Sequence, residues 1–146
     1  MEAVFFIFNK EVVDAMFEKI CAVLDQGNIE YVKWDCNRSI GNLYSHDTAS
    51  QSKVLFDYML GVYDFMDRLV KRYPNILLET CSGGGGRFDA GMLYYSPQIW
   101  TSDNTDAIDR LRIQYGTSFG YPVSSMGSHV SAVPNHQTGR ITPMNT

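Results

Sequence analysis

Cysteine, positive charge and long apolar runs are the scarce commodities of this sequence, and each scarcity closes off a class of function. Cys21, Cys36 and Cys81 are odd in number and fall at no metal-ligand interval. They give neither a disulfide framework nor a zinc ribbon, and suit a reduced, cytoplasmic setting. Lys and Arg total 12 against 16 Asp and Glu, a net charge of −4, so no basic footprint invites nucleic acid. The apolar run AVFFIF is too short for a membrane span and lacks the positive start of a signal peptide, so no membrane partner is expected. His129 and His136 have no third ligand at a metal-like interval. No metal and no cofactor are therefore expected. What is present is ordinary globular composition, 45% hydrophobic, with nine tyrosines that suit a core or a carbohydrate site.

Along the chain the periodicity alternates. Val13, Met16, Phe17, Ile20 and Leu24 predict a helix over 11–24 capped by Asn9, stopped by Gln26-Gly-Asn28. IEYVKWD reads as a strand, and a polar loop runs from about Asn37 to Ser50. Val54, Leu55, Tyr58, Met59, Val62, Phe65, Met66 and Leu69 predict a long helix ending before Pro74. NILLETC is the near-continuous apolar run of a strand buried on both faces. PQIWTSD predicts another strand, Asp106 to Tyr115 a helix with Asp106 and Arg110 paired at i, i+4, and Ser118 to Val123 a further strand. A strand within the first eight residues completes the series. This β–α alternation argues for a parallel sheet with functional residues at strand C-termini. A full eight-stranded barrel needs about 250 residues, so the 146 present read as a single fragment of one, residues 1–146.

The residues at those strand ends carry chemistry. In YVKWDCNR, Lys33 and Asp35 share a face of the strand, and a cation there would keep the carboxylate ionised. Trp34 alternates to the opposite face and so towards the core. Asp103 ends another strand. Strands flanking a common neighbour lie about 10 Å apart, so two inward aspartates could converge to the roughly 5 to 5.5 Å of retaining glycoside hydrolysis. Asp103 could equally cap the helix that follows. The run CSGGGGR lacks the Gly-Lys-Ser/Thr of a phosphate loop. Its four glycines suggest instead a backbone bare enough for a ligand to sit against the strand end. Ser82 lacks the G-x-S-x-G setting of a serine nucleophile.

Three blocks, YVKWDCNR, CSGGGGRFDAGMLYYSPQIWTSDNTDAIDRLRIQYGTSFGYP and MGSHVSAVPNHQTGR, together resemble the α-galactosidases of glycoside hydrolase family 36. The resemblance implies a partial (β/α)8 TIM barrel, about strands 4 to 7 with their helices. It also implies retaining hydrolysis of terminal α-galactosides of the melibiose and raffinose type. By matching, Asp35 is the implied nucleophile and Asp103 the implied acid/base, with Asp106 the competing candidate. Lys33, Asn37, Cys81 and Gly83 are implied sugar contacts, with Ser82 and Arg38 as additions. Trp34, inside the same block, is carried as a further candidate contact. The chain departs from the family at Cys36, usually Met, and at Ser128, usually a small apolar residue.

The alternative is a non-catalytic half-barrel remnant. Its unpaired edge strands would favour aggregation or association into a homo-oligomer.

Overall fold

A computed structural model describes residues 9–37, 44 and 50–143. Two compact units divide it. One holds the described residues up to Val32 and those from 44 to Leu77; the other holds Lys33–Asn37 and the residues from Leu78 onward. The strand expected in the first eight residues and most of the polar loop expected after Asn37 lie outside the described residues.

The first unit is a helical pair. Helix α1 (Lys10–Leu24) starts where the Asn9 side chain accepts the N–H groups of Glu11 and Val12, satisfying two donors that have no partner within the helix. Val13, Phe17, Cys21 and Leu24 form its buried stripe, one turn apart. Helix α2 (Val54–Arg72) buries Val54, Tyr58, Phe65, Met66 and Leu69, whereas Leu55, expected on that face, is 49% exposed. The two helices meet where Phe17 and Phe65 pack edge to face with centroids 5.7 Å apart. Arg68 lies 4.2 Å over the Phe17 ring and reaches Asp14 at 2.8 Å. At the end of α2, Tyr73 sends its hydroxyl to the Cys21 carbonyl and the Asp25 carboxylate, at 3.2 and 2.7 Å. Burial and these acceptors push the Tyr73 phenol up to about 12.

The second unit carries Lys33–Asp35 of β1 (Tyr31–Asp35), Leu78–Cys81 of β2 (Leu77–Cys81) and all of β3 (Gln98–Ile99), strands of one sheet in the order β1, β2, β3. Strands β2 and β3 run parallel, with Glu79 opposite Gln98 and Thr80 opposite Ile99. Residues 78–81 are buried throughout, as the apolar run implied. A short helix α3 (Ala90–Tyr95), capped by Asp89, makes the crossover between them, and Ser96 ties its end to the Leu78 carbonyl at 2.9 Å.

Three expectations need correction. Strand β3 is two residues long rather than running from Pro97 to Asp103. Beyond Trp100 the chain leaves the ladder, and Thr101 gives its carbonyl to the Gly85 N–H instead. Ser118 to Val123 is not a strand. Helix α4 (Ala107–Thr117) runs into it, and Ser118, Gly120 and Tyr121 all donate their N–H groups back into the last turn. The partner of β3 comes later, where Met126 bridges Ile99 in parallel and Gly127 donates to the Ile99 carbonyl at 2.8 Å. Nor do Asp106 and Arg110 pair. Asp106 sits ahead of α4 as its cap and turns its carboxylate onto Ile108 and Asp109, which carries it away from the i+4 position.

Candidate active site

The exposure of β1 alternates, so Lys33 and Asp35 share an exposed face with Asn37 just beyond, while Trp34 is half-buried on the other. Asn37 works in both directions: its amide donates to Asp35 at 3.0 Å, and its carbonyl oxygen accepts the Gly83 N–H at 2.7 Å. Ser82 donates its hydroxyl to the Cys36 carbonyl at 2.7 Å, and the Cys36 N–H bonds to the Cys81 carbonyl at 2.9 Å. The ends of β1 and β2 are thereby stitched into one surface.

Cys81 is buried, and that burial pushes its thiol up; the neighbouring Asp35 acts in the same direction, opposed by the Gly84 N–H. Asp35 is therefore oriented by a neutral donor, the Asn37 amide, with a neutral thiol beside it. Arg87 donates to the Cys36 sulfur.

The glycine run serves the protein itself more than the sequence suggested. A Cβ on Gly84 would sit 2.6 Å from the Ser102 Cα, and one on Gly85 would sit 3.0 Å from the Thr101 carbonyl oxygen. A Cβ on Gly86 would meet the Ser82 carbonyl at 2.6 Å. Gly84 and Gly85 let the β2 loop and the segment after β3 pack backbone against backbone, and Gly86 lets the loop close on its own start. Gly83 alone of the four has no atom within 4 Å of where its Cβ would stand.

Lys33 does not spend its charge as the spacing implied. Its ammonium lies 3.7 Å from Glu79, a carboxylate buried on β2 that also accepts from the Gln98 amide. It also lies 4.7 Å from the centre of the Trp100 ring. That ring is a meeting point: the Arg110 guanidinium stands 4.5 Å over it and His129 packs edge-on at 5.1 Å. The Trp100 indole N–H donates to Asp103 at 3.1 Å.

The two aspartates that competed at this strand end have different surroundings. Asp106 is wholly buried and caps α4. It receives the Thr138 hydroxyl and the Arg140 guanidinium, each at 2.6 Å. The Thr138 hydroxyl foremost holds its carboxyl below the ordinary range against the opposing effect of burial, with the Asp109 and Ile108 N–H groups and Arg140 adding. Asp103 caps nothing and faces solvent. Gln137 fixes its backbone, donating to the Asp103 carbonyl at 2.9 Å while accepting the Thr105 N–H at 2.8 Å. Arg110 grips the same loop through the Ser102 carbonyl at 2.8 Å.

Of the residues picked from the sequence, Asp35, Asn37, Cys81, Ser82 and Gly83 thus form one hydrogen-bonded group, and Trp100 links Lys33 to Asp103. Arg38 lies outside the described residues. The sequence reading missed Trp100, Glu79, Gln137 and Arg140. Glu79 had a signal, a lone carboxylate in an otherwise apolar strand. Gln137 and Arg140 gave none, because their partners are remote in sequence; Trp100 lies only three residues from Asp103, but the cations over its ring come from distant segments.

Solvent-facing carboxylates at strand ends, oriented by neutral donors beside an aromatic ring, are equipment suited to carbohydrate chemistry. The chain belongs to the melibiase family, whose model matches residues 1–146. It is 69% identical over 138 residues to the bifunctional alpha-galactosidase/sucrose kinase AgaSK of Mediterraneibacter gnavus, covering 94% of this chain and 14% of that protein. The solved galactosidase domain of AgaSK matches with a TM-score of 0.87 at 67% identity, over 96% of this chain and 19% of that one. The alpha-galactosidase of Lactobacillus brevis gives a TM-score of 0.91 at 50% identity, over 97% and 19%. A GH36 alpha-galactosidase, AgaA of Geobacillus stearothermophilus, solved as a variant in complex with raffinose, gives 0.90 at 52%, over 96% and 20%. The chain spans about a fifth or less of the length of these relatives. Among the described residues no helix is long and apolar enough to cross a membrane.

Proposed function

We propose that this chain is the catalytic segment of a retaining α-galactosidase, contributing about strands 4 to 7 of a (β/α)8 barrel. Asp35 attacks the anomeric carbon of a terminal α-galactoside and Asp103 protonates the departing oxygen. Water, deprotonated by Asp103, then releases the sugar with its configuration retained. Lys33, Asn37, Cys81, Ser82 and Gly83 line the galactose position, the Lys33 ammonium and the Asn37 amide serving as donors to its hydroxyls; the family resemblance adds Arg38 and Trp34 as candidate contacts. Galacto-oligosaccharides of the raffinose type are the proposed substrates. The observation that carries the reading is the division of labour between the two rival aspartates: Asp106 is consumed by the helix cap, which leaves Asp103 free for chemistry.

The short span relative to the relatives favours a companion reading: the segment by itself is inactive and needs the remainder of a barrel. Both are tested by grafting residues 9–143 in place of the matching stretch of AgaSK and assaying raffinose and a nitrophenyl α-galactoside beside the chain alone. The graft should hydrolyse both and the chain alone neither. Asp35→Ala with azide should yield the β-galactosyl azide by single displacement. Asp103→Ala with azide and an activated substrate should yield the α-galactosyl azide. An active graft whose Asp35→Ala variant keeps its rate would refute the assignment.

A further inference from the structure

We infer that Trp100 is the positioning residue of the acid/base Asp103; this rests on the function proposed above. Its indole N–H reaches one carboxylate oxygen, Oδ1, at 3.1 Å. A carboxylate that must give and take a proton on the substrate side gains from having one oxygen committed elsewhere, because the other is then the one presented. The hydrogen bond does that, and the three-residue separation of donor and acceptor keeps both on one loop.

The indole is itself immobilised. Lys33 on β1 stands 4.7 Å from the ring and Arg110 on α4 stands 4.5 Å from it. His129, beyond the 3-10 turn at Val123–Ser125, packs against it edge-on. Glu79 stands behind Lys33 at 3.7 Å. Two cations near one ring attract its π-electrons and make the N–H a stronger donor. Arg110 is anchored to the Ser102 and Gly127 carbonyls, at 2.8 and 3.0 Å, so the ring is fixed from the helix side by a residue that is itself held.

A merely structural tryptophan would fill the space between Lys33, Arg110 and His129 equally well without its N–H. The consequence that separates the two is a dependence on the leaving group. Without the donor, Oδ1 is released and the carboxyl group loses its aim at the departing oxygen, which matters only where that oxygen must receive a proton.

The test is Trp100→Phe in the AgaSK graft, which keeps an aromatic ring and loses the donor. Its kcat/KM on raffinose should fall on the order of tenfold, a part of what general acid–base catalysis supplies. That for a dinitrophenyl galactoside, whose leaving group needs no proton, should stay within about twofold. In the unsubstituted graft, the Trp100 indole N–H proton resonance should lie downfield and should move upfield in Asp103→Asn, where the charged acceptor is lost; this readout stands even if the Phe variant misfolds. Loss of rate on both substrates by the same factor, or an indole resonance indifferent to Asp103→Asn, would overturn the inference while leaving the catalytic assignment of Asp103 intact. An Asp103→Ala graft with full activity on raffinose would instead remove the reading beneath it.

Discussion

Gly83 and Gly84 are neighbours with positive φ, 54° and 84°, yet their substitution by alanine should have unequal costs. For either, the left-handed backbone charges an L side chain about 1–2 kcal/mol. About 0.4–1 kcal/mol of that returns because alanine stiffens the unfolded chain. At Gly83 nothing stands within 4 Å of the new methyl group, so a net loss of about 1 kcal/mol is the whole expectation. At Gly84 the methyl would lie 2.6 Å from the Ser102 Cα, 3.1 Å from its nitrogen and 3.2 Å from the Asp103 nitrogen. All three are backbone atoms, which cannot swing aside as a flexible side chain would. The segment after β3 must move, which adds about 1–3 kcal/mol of the kind seen on overfilling a packed site. At roughly 3 °C per kcal/mol for a chain of this size, Gly84→Ala should melt several degrees below Gly83→Ala by circular dichroism. Equal melting points would refute the close approach of the two backbones and, with it, the structural account of the glycine run.

Two further outcomes follow from titrating groups. Asp106 has a carboxyl held below its ordinary value, so its charge stabilises the fold fully above about pH 4 and loses that effect as pH falls through the lowered value. Asp106→Asn, which keeps a cap-capable oxygen, should therefore melt well below the parent at neutral pH, and the gap should close on acidification; a gap independent of pH would contradict the Thr138 and Arg140 contacts. Tyr73, pushed up to about 12 by burial and the Asp25 and Cys21 acceptors, should give a late phenolate step in an ultraviolet titration. That step should vanish in Tyr73→Phe, and its persistence there would show that another tyrosine carries it.

Helices α1 and α2, the end of β1 at Asp35 and the buried run of β2 were all legible in the sequence, because local periodicity and capping decide them: apolar residues every three or four positions must share a face, and Asn9 lies one residue before its helix. The pairing of Lys33 and Asp35 on one exposed face was legible for the same reason, strand alternation. Tertiary structure alone decided the rest. Lys33 has its ion pair with Glu79, on another strand. Asp106 is taken from Arg110 by Arg140, a residue 34 positions away that periodicity cannot see. Gly84 and Gly85 of the β2 loop proved to be spacers against Thr101–Asp103, and the strand expected at Ser118–Val123 yielded to Met126, because only the folded chain shows which backbone lies alongside which. Sequence names the reactive groups; it is the packing of distant segments that determines which of them are spent on holding the fold and which are left to act.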